Sequence, residues 1–272
     1  MLSLAMPEGL ERLGALLDEV AERQRQDFGQ LDSEAKADGS LITACDRWSD
    51  ATLVKGLAEL YPGEGVLSEE GSQRVPTTEA YWVVDPLDGT TNFAAGIPYW
   101  AISLARFENG VPVLAVLDVP PLRQRIVAIR GGGAWRKDKK LGAPSARNQV
   151  AGCASLCSRS IGVLQKLPNQ RFPGKIRLLG VASLNLVSVG MGQTISALEA
   201  TPKIWDLAAA WLVLQELNCP MDWLVRDPGQ LEPGEDLSEA NFPVLAARNE
   251  ETLARFKPWA DALVGRACPP RG

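Results

Sequence analysis

From Leu10 to Val20, apolar residues recur three and four positions apart, at Leu10, Leu13, Leu17 and Val20. That spacing lines up one helical stripe and predicts a helix over residues 7–28, with Pro7 suited to its first turn. A second amphipathic stretch, residues 44–61, turns Trp48, Leu53, Leu57 and Leu60 inward and stops at Tyr61-Pro62-Gly63. The pattern then changes to short apolar runs bounded by turn residues, which read as strands. These runs cover residues 65–68, 80–84, 100–107, 111–117 and 125–130. Between the third and fourth stands Glu108-Asn109-Gly110, a hairpin signal because Asn-Gly accepts positive φ.

Residues 134–149 are basic and rich in turn formers, and they mark a boundary between two halves, 1–145 and 146–272. Arg136 to Lys140 reads as a solvated hairpin inside that stretch. Beyond it, strands are expected at 152–157, 175–179, 195–199 and 242–247. Helices are expected at 161–167, 182–190, 205–217 and 250–264. The first half carries antiparallel strands behind two leading helices, and the second alternates strand and helix. The expected fold class is therefore α/β, with helices and sheets in layers. Gly39-Ser40 reads as a turn, and Pro228-Gly229 with Pro233-Gly234 as turns of a surface loop.

Composition narrows the chemistry. With 272 residues the chain makes one or two domains and buries a large core without staples. Its net charge of −5 argues against a general nucleic-acid binder, which would gather Lys and Arg against phosphates. The chain has no histidine. Ser-His-Asp and Cys-His nucleophile systems, His-ligated zinc and His-held haem are thereby excluded. Five cysteines without a CxxC pair indicate neither a disulfide framework nor a zinc ribbon, and a reducing cytoplasm is expected. The first dozen residues do not make a signal peptide. The longest apolar run, residues 207–214, falls short of the ~18 residues of a membrane span, so no membrane partner is expected.

The richest segment is Trp82-Val83-Val84-Asp85-Pro86-Leu87-Asp88-Gly89-Thr90-Thr91-Asn92-Phe93. In a straight strand, residues three apart point to opposite faces. Asp85 and Asp88 converge only if the chain bends, and Pro86 and Gly89 supply the bend. Thr90, Thr91 and Asn92 are good helix-capping types. Two carboxylates beside free backbone N–H groups would suit a cation and a phosphate together. The same residues also compose an Asp-Gly turn with a threonine cap. Glu69-Glu70 at another strand end reads as a carboxylate pair or a solvated turn. Asp46 and Asp206 each open a helix and read as caps when taken singly, with Trp205 as core packing. Taken together, four acidic sites at element ends, without His or paired Cys, favour a hard cation such as Mg²⁺, Mn²⁺ or Ca²⁺. Gly190-Met191-Gly192 lacks the third glycine and the preceding strand of a dinucleotide fingerprint. Cys153 and Cys157 read as packed thiols.

The run Val84-Asp85-Pro86-Leu87-Asp88-Gly89-Thr90-Thr91-Asn92-Phe93 resembles the signature of the inositol monophosphatase family, Mg²⁺-dependent and typically lithium-sensitive sugar phosphatases. Ser68-Glu69-Glu70 is similar to its Gly-Glu-Glu element, and Trp205-Asp206 to its Trp-Asp element. The resemblance spans roughly residues 7–264 and implies the sugar-phosphatase fold, an α+β sandwich of alternating helix and sheet layers. It implies that Glu69, Asp85, Asp88, Asp206 and the Leu87 carbonyl hold two or three Mg²⁺ ions, with Mn²⁺ a substitute. Asp46 and Thr90 would position the attacking water, with Glu69 completing the catalytic set. Gly89 and Thr90 would cradle the phosphate, and Gly180, Val181, Ala182 and Glu199 would meet the alcohol. Leu87, Asp88 and Asp206 would border the same substrate site.

The activity so implied is hydrolysis of a small polyol or sugar phosphate, such as myo-inositol monophosphate, by direct attack of water. Alternatives are a related phosphatase of histidinol phosphate, fructose bisphosphate or 3′-phosphoadenosine phosphate, or an idle homologue that binds a phosphorylated ligand. A homodimer is a compatible assembly. Departures from the pattern are Ser68 for Gly, Gly180-Val181-Ala182-Ser183 for Gly-Thr-Ala-Ala, and Glu216-Leu217-Asn218-Cys219 for Glu-Ala-Gly-Gly. The second removes a hydroxyl beside the substrate, and none removes a metal carboxylate.

Overall fold

The computed structural model describes residues 8–30, 33–36, 41–144, 152–167 and 169–265. In chain order, the first half has α1 (Glu8–Asp27), β1 (Ser33–Ala35), β2 (Leu41–Thr43), α2 (Ala44–Leu60), β3 (Gly65–Ser68), β4 (Ala80–Asp88) and α3 (Thr90–Ala94). It continues with β5 (Ala101–Glu108), β6 (Val111–Val119), β7 (Gln124–Ile129), β8 (Gly133–Arg136) and β9 (Lys139–Lys140). The second half has β10 (Cys153–Leu156), α4 (Val163–Lys166), β11 (Lys175–Arg177), α5 (Ala182–Gly190) and β12 (Ser196–Glu199). It ends with α6 (Ile204–Glu216), β13 (Met221–Trp223), β14 (Val244–Ala247) and α7 (Glu250–Leu263).

Strands β3 to β9 pair in sequence order into a seven-stranded sheet, parallel at β3–β4 and antiparallel beyond. A five-stranded sheet has the order β11-β10-β12-β14-β13. Period-two alternation assigns the faces of the larger sheet. Trp82 and Val84 of β4, Ile102 and Leu104 of β5 and Val116 of β6 pack with Leu13, Leu17 and Val20 of α1 and Leu53 and Leu57 of α2. Their neighbours Tyr81, Val83, Ala105, Phe107, Ala115 and Leu117 point the other way, against α5 and α6. Those two helices also cover Ala197, Val244 and Ala246 of the second sheet. The far face of that sheet holds Leu156, Leu198 and Leu245 against Phe256 and Trp259 of α7. The order is helix, sheet, helix, sheet, helix, the layered fold expected. Because both faces of each sheet are covered, its strands read as near-continuous apolar runs.

Three features escape the hydrophobic pattern. The ribbon β1–β2 and strand β13 have three residues each, too few to show a period. The stretch 134–149, expected to be turn-rich, contributes β8 and β9 to the large sheet as a hairpin with exposed lysines. The rest of that boundary, from residue 145, and the Gly39-Ser40 turn lie outside the described residues. Among the described residues no helix is long and apolar enough to cross a membrane.

Candidate active site

Strand β4 ends in a bulge that changes where its carboxylates point. Asp85 pairs with Ser103 and Asp88 with Ala101, so three steps on β4 oppose two on β5. One extra residue rotates the strand, and two carboxylates that a straight strand would separate come together. The Leu87 amide donates to Asp85 Oδ1 at 2.9 Å and fixes the turn. Gly89 follows with φ of 105°, and a Cβ there would stand 2.8 Å from Val181 Cγ2. Backbone angle and space both require glycine. Helix α3 then starts with Gly89 as its N-cap, so the expected threonine cap is not formed. The Thr90 hydroxyl instead donates to Asp46 Oδ1 at 2.7 Å and lies 3.1 Å from the Leu87 carbonyl.

Asp46 itself is not the cap of α2. Thr43 caps the helix, and Asp46 stands three residues on as its capping-box partner, accepting the Thr43 amide at 2.9 Å. The carboxylate thus joins a helix start to Thr90, 44 positions later. Asp206 plays a similar double part. It stands in the first turn of α6, accepts the Lys203 amide at 2.8 Å and reaches the β4 carboxylates. Ser103, opposite Asp85, donates to the Trp205 carbonyl at 3.2 Å and ties the start of α6 to the bulge.

Asp85, Asp88 and Asp206 offer ligand oxygens that all lie within 4.8 Å of one another. Burial, then the charges of Glu69, Asp88 and Asp206, push the Asp85 carboxyl well above its usual range. Asp206 is likewise raised well above its usual range, by burial and then by Asp88 and Glu69. Asp88 rises to about 6 by burial, although the start of α5 opposes the shift. There the Ser183 amide donates to Asp88 Oδ2 at 2.7 Å. Asp85 Oδ2 is buried without a hydrogen-bond partner among the described residues. Carboxylates this close, buried and short of donors demand a proton or a cation. An all-oxygen set fits Mg²⁺, Mn²⁺ or Ca²⁺, so the residues present suit a divalent ion.

Glu69 follows β3, where its amide donates to the Val84 carbonyl at 3.1 Å and holds it beside the bulge. Lys36, just after β1, donates to Glu69 Oε1 at 2.9 Å and also to Glu70. Burial nonetheless raises the Glu69 carboxyl, and it pushes Glu70 up to about 7, with Glu69 adding to the effect. Sequence reasoning missed Lys36 because its three-residue strand carries no pattern. The Ser68 departure has a use, since its hydroxyl accepts the Gly71 amide at 3.1 Å and closes the Glu69-Glu70 turn.

The residues expected to meet the alcohol differ in exposure. Gly180 is exposed and Ala182 half-buried, but Val181 is fully buried and packs its side chain on Gly89. Its side chain serves the interior. Glu199, at the end of β12, is 2% exposed and accepts Asn185 Nδ2 at 2.8 Å. A solvated strand-end glutamate is thereby ruled out. Burial pushes its carboxyl up to about 8, and the Asp88 charge adds to the rise.

Comparison with known proteins finds relatives along most of the chain. The model of the inositol monophosphatase family matches residues 6–253. A histidinol-phosphatase of Mycobacterium tuberculosis is 35% identical over 216 residues, 74% of this chain and 82% of the relative. An IMPase of Thermotoga maritima has the same fold, with a TM-score of 0.77 and 24% identity over 93% of this chain and 98% of its own. An IMPase/NADP phosphatase solved with Mg²⁺ and phosphate gives a TM-score of 0.74 and 25% identity, over 90% of this chain and 93% of its own.

Proposed function

The chain belongs to the inositol monophosphatase family, and from that premise we propose that it uses two or three Mg²⁺ ions to hydrolyse a small polyol or sugar phosphate such as myo-inositol monophosphate. That it is a phosphate monoester hydrolase requiring a divalent metal follows from the family and the acidic cluster. The observation that carries the finer reading is the crowded triad of Asp85, Asp88 and Asp206 beside Glu69 and the Asp46–Thr90 pair. Those four acids and the Leu87 carbonyl would hold the ions, and Mn²⁺ would substitute. Bound cations would activate a water, neutralise the phosphate and stabilise the leaving oxygen.

The chain's own residues do the rest. The Thr90 hydroxyl commits its hydrogen to Asp46, so its lone pairs are left to accept a hydrogen bond from the attacking water. Glu69 would hold the acidic side of that water's surroundings. Backbone N–H groups of Gly89 and Thr90 would receive the phosphate oxygens. Gly180, Ala182 and Glu199 would meet the alcohol, with Val181 shaping the wall from behind. Residues 1–145 supply most metal ligands, and 146–272 complete the site through Asp206 and the alcohol-facing residues. Free cysteines at 45, 153, 157 and 219 support work in a reducing cytoplasm. A homodimer is the assembly we favour, supported by exposed Ile97, Leu178 and Leu179.

Histidinol phosphate is the second reading, favoured by the 35% identical relative. A panel of phosphate esters assayed with Mg²⁺ separates the two. Highest kcat/KM on inositol or sugar monophosphates supports the first, and highest kcat/KM on histidinol phosphate replaces it with the second. No phosphate release from any ester would mean an idle ligand-binding homologue.

A further inference from the structure

The apolar stripe of α1 continues beyond Val20 to a polar residue. Gln24 lies four positions on, on the same face, and is 0% exposed. Its carboxamide is fully used. Nε2 donates to the Pro86 carbonyl at 2.8 Å and to Ser49 Oγ at 3.1 Å, while Oε1 accepts Trp100 Nε1 at 3.0 Å. Pro86 is the residue between Asp85 and Leu87, inside the β4 bulge. A bulge disrupts the ladder locally, and a buried carbonyl there needs a donor. Gln24 is that donor, 62 positions away in sequence. One turn further along α1, Phe28 stacks on Trp100 with centroids 4.7 Å apart, and Trp100 meets Phe93 of α3 edge-on at 5.0 Å. The segment from Pro86 to Phe93 is therefore held from behind at both ends, once by a hydrogen bond and once by rings.

We infer that Gln24 is a positioning residue for the metal centre, setting the β4 bulge through the Pro86 carbonyl so that Asp85 and Asp88 converge. The inference rests on the reading of that cluster as a metal site. The hydrogen bonds of Gln24 go to Pro86, Ser49 and Trp100 and to no carboxylate among the described residues, so its effect passes through backbone geometry. Groups that orient metal ligands from behind typically change metal affinity by about 10–100-fold when lost.

The test uses the full chain and Mg²⁺ itself, read by calorimetry and by the Mg²⁺-induced rise in Tm. Gln24→Met keeps the volume and removes the amide. It should raise the Mg²⁺ concentration for half-saturation by about 10-fold. Trp100→Phe removes a different buried bond to the same glutamine and leaves the Pro86 bond in place. It should lower Tm while keeping the Mg²⁺ midpoint within about 2-fold of wild type, since an outer group must orient a ligand to matter. A measurement on wild-type protein covers the case in which Gln24→Met does not fold. The Trp100 indole N–H resonance, identified by its loss in Trp100→Phe, should shift with Mg²⁺ at the calorimetric midpoint. Equal midpoints in wild type and Gln24→Met, equal shifts in both variants, or an indole resonance blind to Mg²⁺ would each overturn the inference. Absence of Mg²⁺ binding to the wild type would instead overturn the metal reading beneath it.

Discussion

Two walls of the interior, the β4 bulge with the start of α6 and the end of β12, hold buried acid in different ways. On the first, Asp85, Asp88 and Asp206 crowd within 4.8 Å, and one Asp85 oxygen has no donor among the described residues. On the second, Glu199 is equally buried but holds the Asn185 amide at 2.8 Å. Burial raises the carboxyls of both walls, but on the first Asp85 and Asp206 are raised further by several carboxylates at once, whereas Glu199 feels one, Asp88. The difference teaches where an external charge belongs. Acids crowded together wait for cations, whereas a single acid held by a side-chain amide would exchange hydrogen bonds with the neutral part of a ligand.

Replacing Asp85 tests the contrast most severely. Asp85→Asn removes a ligand charge at the centre and should lower kcat with saturating Mg²⁺ by at least ~10²-fold, as loss of one transition-state stabiliser does. Without metal its Tm should hold or rise, because one source of repulsion is gone. Near-normal turnover in that variant would dissolve the first wall as a metal site. On the second wall, Glu199→Gln should reduce kcat/KM for a polyol phosphate by roughly 10-fold when assayed above about pH 8, where the carboxyl is ionised, the value of one good charge-assisted hydrogen bond. Activity on p-nitrophenyl phosphate, whose leaving group has no hydroxyls to bind, should hold. Equal losses on both esters would move Glu199 to the metal side of the comparison.

A smaller effect lies in the pH dependence of stability. Carboxyls raised in the folded state bind protons that the unfolded chain has released, so stability falls as pH rises. The loss begins near pH 4, where unfolded carboxylates ionise. It runs through about 6 for Asp88, about 7 for Glu70 and about 8 for Glu199. Metal-free protein should therefore lose Tm steadily from pH 5 to pH 8, and Mg²⁺ should remove most of that slope by compensating the first wall. A metal-free Tm that rises over that range would mean the acids are already paired.

The two walls were unequally legible in the sequence. Asp85 and Asp88 announced themselves because Pro86 and Gly89 stand where a strand must bend, and the bulge delivers that bend. Helix α5 and strand β3 keep the boundaries their patterns predict, since flanking glycines end them sharply. Asp46 was harder, because a residue three positions into a helix looks like a cap until Thr43 is seen to hold that place. Lys36 was hidden by a ribbon too short to show alternation. The burial of Val181 was not legible, because its side chain packs onto Gly89, 92 positions earlier in the sequence. Gln24 left one signal, a polar residue on an apolar stripe, whose meaning depends on a carbonyl 62 positions away.

The central claim is that uncompensated acid makes this protein a metal-dependent phosphatase, and one titration tests it directly. Chelator-treated protein is returned to Mg²⁺ in steps while phosphate release and Tm are followed on the same samples. The account predicts no release without metal, full recovery with Mg²⁺, and a rise in Tm that tracks it. Full activity in metal-free buffer, or recovery of activity with no metal-induced change in Tm, would contradict it.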